Sequence, residues 1–203
     1  MGVSRAVLLL MAVVFLAAGC APTSITLQPG KTEWGAAQEG GGDAWSLWVA
    51  DVKDLRSTAA AEGAKVGLLY PNYQTEPQTA YLAPEPTRYV RDELSRFLLH
   101  RGLEASEGRR AKLHLRLELT DFSLVEKPGA VMDEIRLRVE YTVRFVAPQG
   151  AELGSLRLEG SRMIQTPIST RRKAEEGFRD AVSDTFAPLL ASDVFVRAMN
   201  QVR

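Results

Sequence analysis

The chain has 203 residues, with 25 Lys plus Arg against 25 Asp plus Glu and a hydrophobic share of 45%. Those values are ordinary for one globular domain with an extension. A formal charge of zero supplies no bulk field to gather nucleic acid, and a single cysteine leaves no internal disulfide to hold the domain together.

Residues 1–19 read as a lipoprotein signal peptide. Arg5 gives a short positive start, Ala6 to Leu16 is apolar, and small residues lead to the lone cysteine in Leu16-Ala17-Ala18-Gly19-Cys20. A transmembrane helix needs about 20 apolar residues, and Val7 to Ala18 is too short. Myristoylation wants Ser or Thr where this chain has Ala6. The small-small-Gly-Cys ending resembles the bacterial lipoprotein signal closely. That resemblance implies cleavage before Cys20, a diacylglycerol on its thiol and a third acyl chain on its amino group. Each buried methylene contributes about 0.8 kcal/mol, and two or more chains anchor stably. The enterobacterial sorting rule retains lipoproteins with Asp after the cysteine in the inner membrane. Ala21 stands there, so the resemblance implies the outer membrane, with the domain facing the periplasm.

Residues 20–44 read as a lipidated, flexible tether, rich in Gly and Pro and ending near Gly40-Gly41-Gly42. As a coil of about 25 residues it would span about 25–30 Å. Within it, Ser24-Ile25-Thr26-Leu27 alternates and could form a short strand. Trp34 offers an alternative, an ordered arm packed on the domain.

The single periplasmic domain is expected over 45–203. Trp45 to Asp54 carries apolar residues on both faces and reads as a covered strand. Val66 to Tyr70 reads as a second strand pairing with the first, before the Pro71-Asn72 turn. Tyr73 to Pro86, with its prolines, reads as a surface loop. Helix one follows, with Pro86 near its start and Gly102 as its left-handed stop. Its stripe is Val90, Leu94, Phe97 and Leu98. Three strands then form an antiparallel meander: Ala111 to Thr120, Ile135 to Phe145 and Leu153 to Met163. Leu113, Leu115, Leu117 and Leu119 alternate with polar residues, and a one-residue slip would expose them all. Ser169 or Thr170 can cap helix two, Pro188 should kink or break it, and Ser192-Asp193 can cap a last short helix. The order β-β-α-β-β-β-α-α implies an α+β two-layer sandwich. Its sheet would be mostly antiparallel, of about four to five strands, with two main helices on one face.

Catalytic patterns are scarce. Gly40-Gly41-Gly42 lacks the helix and Lys of a phosphate loop, and no serine sits in a Gly-x-Ser-x-Gly elbow. His100 reads as a dipole partner in the last turn of helix one, and His114 as a surface residue. They are not at metal-ligand spacing. No enzyme activity, cofactor or metal is expected. The candidate partner contacts are basic. Arg136, Arg138 and Arg144 lie on the polar phase of the meander, where cross-strand Arg–Glu pairs can form. Arg171-Arg172-Lys173 opens helix two against its macrodipole, with no structural return evident in the sequence.

Several segments resemble the YajG-like outer-membrane lipoproteins of Gram-negative bacteria. They are Val52-Lys53-Asp54-Leu55-Arg56, Arg88 to Leu94 running to His100-Arg101-Gly102-Leu103, Ala111 to Phe122, and Ala181 to Phe195. Leu103 and Pro188 depart from the family pattern. The resemblance implies an α+β periplasmic domain on a lipid anchor, with no catalytic residues. Asp54 and Arg56 match its strand-end motif and read as a structural pair. The expected role is an accessory or assembly factor that binds an envelope protein complex or the cell wall. The alternative is a small-molecule or lipid carrier using a cleft between sheet and helices.

Overall fold

The computed structural model describes residues 24–34, 46–57, 63–70, 76–103, 108–168 and 170–202. The signal peptide, Cys20, residues 21–23 and 35–44 of the tether, Trp45, the Pro71-Asn72 turn and the possible cap Ser169 lie outside the described residues.

The meander is the backbone of the fold. Its strands are β5 (Leu113–Lys127), β6 (Asp133–Val146) and β7 (Glu152–Thr166), paired antiparallel in chain order. Strict alternation sends Leu113, Leu115, Leu117 and Leu119 inward, each at most 1% exposed. A bulge between Leu119 and Asp121 adds one residue to the strand. It resets the phase so that Phe122 and Leu124 also point inward, and β5 runs past its expected end at Thr120.

Four further strands complete a seven-stranded sheet: β1 (Ser24–Leu27), β2 (Leu47–Asp54), β3 (Lys65–Leu69) and β4 (Gln78–Leu82). The order is β1-β4-β3-β5-β6-β7, with β2 also on β5. Three expectations are corrected. The sheet is larger than four to five strands. The segment read as a loop, Tyr73 to Pro86, contains β4, with Gln78, Ala80 and Leu82 buried. The strand at Lys65–Leu69 does not pair with β2. It pairs antiparallel with β4 and parallel with β5 at Leu124 and Val125, while β2 takes the first half of β5, also in parallel. Short β2 and β3 share one side of a single long strand, which a strand ending at Thr120 could not accommodate. Residues 24–34, assigned to the tether from sequence, enter the fold: β1 pairs with β4, and Trp34 lies 5.0 Å from Phe97 between ring centroids.

The helices are α1 (Pro86–His100), α2 (Arg171–Ser183), α3 (Phe186–Ala191) and α4 (Asp193–Gln201). Thr170 caps α2 by accepting from Lys173 N, and Ser192 caps α4 by accepting from Phe195 N. Gly102, at φ 66°, stops α1 as expected. Pro188 breaks helix two, but the break falls upstream, at Asp184 and Thr185. The proline then sits in the first turn of α3, where amides need no partner.

Helices α1, α2 and α4 reach the leucine side of the sheet through aromatic contacts, and α3 packs on α1. Phe122 meets Tyr89 of α1 at 6.4 Å and stacks on Phe178 of α2 at 4.6 Å. Phe145 meets Phe195 of α4 at 5.9 Å, and Phe186 of α3 stacks on Phe97 of α1 at 5.3 Å. The contact is close enough to need glycine. A Cβ at Gly160 of β7 would stand 1.9 Å from the carbonyl oxygen of Ala181, and one at Gly177 would stand 2.5 Å from Leu137.

Candidate functional site

The opposite side of the meander carries no α-helix among the described residues, so most of its side chains form an open face. Alternation and register fix their rows. One row is Leu68, Val125, Arg136 and Met163, running from β3 to β7. The next is Ser123, Arg138 and Ser161, followed by Asp121, Glu140 and Glu159, then Glu118, Thr142 and Arg157.

The charged rows form a paired lattice. Arg144 donates to both oxygens of Glu118 at 3.0 Å and reaches Glu152 at 3.2 Å. Those hydrogen bonds hold the Glu118 carboxyl below the usual carboxylate range. Arg138 meets Glu140 at 2.8 Å, Glu159 at 3.1 Å and Asp121 at 3.8 Å. Arg157 meets Glu140 at 2.6 Å, and Arg136 meets Glu134 at 2.5 Å. Thr120 donates to Glu140 at 3.0 Å. The three candidate arginines therefore share one face, with Glu140 and Thr142 between Arg138 and Arg144, and each is held by carboxylates.

Beside this lattice the apolar members of the row through Arg136 are exposed. Met163 is 62% exposed, Val125 51% and Leu68 42%, each on the polar phase of its strand. A shallow recess of about 460 Å³ runs along Val125, Arg136, Arg138 and Met163. The sequence signal was present, since Val125 and Met163 interrupt a polar phase, but only the register shows that they flank Arg136 on the neighbouring strands. At the other end of the face, the 3₁₀ turn Gly108–Arg110 lies over it. His114 Nε2 stands 2.9 Å from Gly108 O, so this histidine is partnered and half-buried rather than simply solvated.

Arg171, Arg172 and Lys173 do not join this face, because α2 packs on the leucine side. They have a structural return that the sequence did not reveal. Arg171 pairs with Glu175 at 2.6 Å and Arg172 with Glu176 at 2.7 Å, both at i,i+4. Glu175 also accepts from Gln28 N at 2.7 Å, tying the helix to the N-terminal arm.

Asp54 and Arg56 form the expected structural pair. Arg56 is 6% exposed and donates to the two Asp54 oxygens at 2.9 and 2.7 Å. Its guanidinium also donates to Lys65 O at 3.0 Å and to Gly63 O. It thus fills the place where β2 ends and β3 begins along β5, beside a recess of about 500 Å³. Among the described residues, no group of three His, Cys, Asp or Glu could hold a metal ion, and no helix is long and apolar enough to cross a membrane.

No protein-family model matches the chain. No curated protein matches it. Among solved structures it resembles protein XCC0632 of Xanthomonas campestris, of the DUF330 family. Identity is 14%, coverage is 87% of this chain and 97% of that one, and the TM-score is 0.55. It also resembles a minor lipoprotein of Acinetobacter baumannii at 13% identity, covering 77% of this chain and 92% of that one, with a TM-score of 0.42. The first likeness establishes a shared fold.

Proposed function

We propose that this chain is an outer-membrane lipoprotein, held by acyl chains on Cys20, whose periplasmic domain acts without catalysis by binding a cell-envelope assembly or the cell wall. The observation that carries the binding role is the open face of the meander, with its arginine–carboxylate lattice beside exposed Leu68, Val125 and Met163. Such a face, apolar in part and rimmed by charge, suits a protein partner. The anchor rests on the run to Cys20, and the segments similar to YajG-like lipoproteins support the same compartment.

The packing weighs against the carrier alternative. A ligand cleft between sheet and helices needs space, whereas β7 and α2 touch backbone to backbone at Gly160 and Ala181.

Two measurements test the proposal. Mass spectrometry of the N-terminal peptide from membranes should find a chain that starts at acylated Cys20; a free Cys20 behind an intact residue 19 would refute the anchor. Amine crosslinking in intact cells should recover the same envelope partner repeatedly, and failure to recover one would refute the accessory role.

A further inference from the structure

Strand β7 ends the sheet, bonded on one side to β6 and on the other to no strand among the described residues. It is 15 residues long, contains no proline, and keeps unbroken register from Asp133↔Thr166 to Phe145↔Gly154. A long, regular edge is a template for another strand unless something blunts it. Here the only charged side chains on its outer phase near the middle are Arg157 and Glu159, and both are largely exposed, at 70% and 51%.

The order of these residues is self-complementary. In an antiparallel pair of identical strands related by a two-fold axis, one residue faces itself and its flanking residues face each other. Centring on Arg157 or Glu159 would set like charges against each other. Centring on Leu158 sets Arg157 of each copy opposite Glu159 of the other, twice. It also places Ser155 opposite Ser161. Directly opposed residues lie about 4.5–5.5 Å apart between Cβ atoms, within reach of an ion pair.

We propose that β7 is a self-pairing edge, through which two copies of this chain join their sheets about an axis at Leu158. Main-chain hydrogen bonds supply the association, and the Arg157–Glu159 pairs select the register. All helices then stay on one side, and the open faces of the two copies become one continuous face.

The test uses the full chain purified in detergent, with protein mass read by light scattering. The native chain should be a dimer. Arg157→Glu and Glu159→Arg should each raise the dimer dissociation constant by about tenfold or more. Co-expression of the two variants should restore a dimer, because every mixed pair again sets opposite charges together. Independently, Ser155→Cys with Ser161→Cys in one chain should give an interchain disulfide on mild oxidation. A monomeric native chain, a dimer indifferent to both charge reversals, or a doubly substituted chain that stays uncrosslinked would overturn the proposal.

Discussion

Arg56 shows how one side chain can hold a junction. It is buried and charged, and its main counter-charge is Asp54, two residues earlier. Removing one partner of a buried pair strands the other, at a cost of about 3–5 kcal/mol. Asp54→Asn should therefore lower unfolding stability by about 3 kcal/mol in urea titration. A change well below 1 kcal/mol would show that the carbonyls of Gly63 and Lys65 suffice. Tyr141 makes a similar point with neutral groups. Its hydroxyl lies 2.5 Å from Thr185 Oγ1, which also bonds Val182 O at 2.6 Å, and burial pushes the phenol up. Thr185→Val leaves a buried hydroxyl unpaired and should cost about 1–3 kcal/mol, more than Tyr141→Phe, because an orphaned group costs more than a lost bond. Denaturation of both variants checks the order. Glu118 brings a pH dependence. Its carboxyl is depressed in the folded state, so its stabilisation is present above the unfolded pKa and is lost as pH falls through the folded value. It is partly exposed and solvent screens it, so the effect is small. Glu118→Gln should make the melting temperature less sensitive to acid below the carboxylate range. The Asp54–Arg56 pair was legible in the sequence because both residues lie at one strand end. The partners of Tyr141 were not, because Thr185 is 44 positions away.

At the scale of elements, the meander was readable because each of its strands carries its own alternation and short turns join neighbours. What could not be read was the other half of the sheet. Strand β4 is bounded by Pro77 and Pro84 and has few large apolar residues, so its local signal resembles a loop. Its burial comes from β1, which precedes it by more than 50 residues, in a parallel pairing that no turn announces. The same reason hid the partners of β3. The basic start of α2 looked costly because the macrodipole was weighed without Glu175 and Glu176, which pair with Arg171 and Arg172 one turn on. The contact between β7 and α2 depends on two residues without side chains. Gly160→Ala would drive a methyl group into the Ala181 carbonyl. It should cost about 1–3 kcal/mol or more, as overpacking does, measured by thermal unfolding. An unchanged melting temperature would mean that the helix can move away freely, and would reopen the possibility of a cleft.

For the whole molecule, one side of the sheet is committed to the core and the other is open among the described residues. The core aromatics Phe122, Phe145 and Phe178 lie on the committed side, and the arginine lattice with Val125 and Met163 lies on the open one. On the proposed function, confinement by the lipid anchor would raise the local concentration of that face near envelope partners, so modest affinity would be enough. The direct test is site-specific photo-crosslinking in intact cells, with the reactive residue placed either at Ser123 on the open face or at Arg91 on the solvent side of α1. A reproducible envelope adduct is expected from Ser123 and none from Arg91. Adducts from Arg91 alone, or none from Ser123, would contradict it.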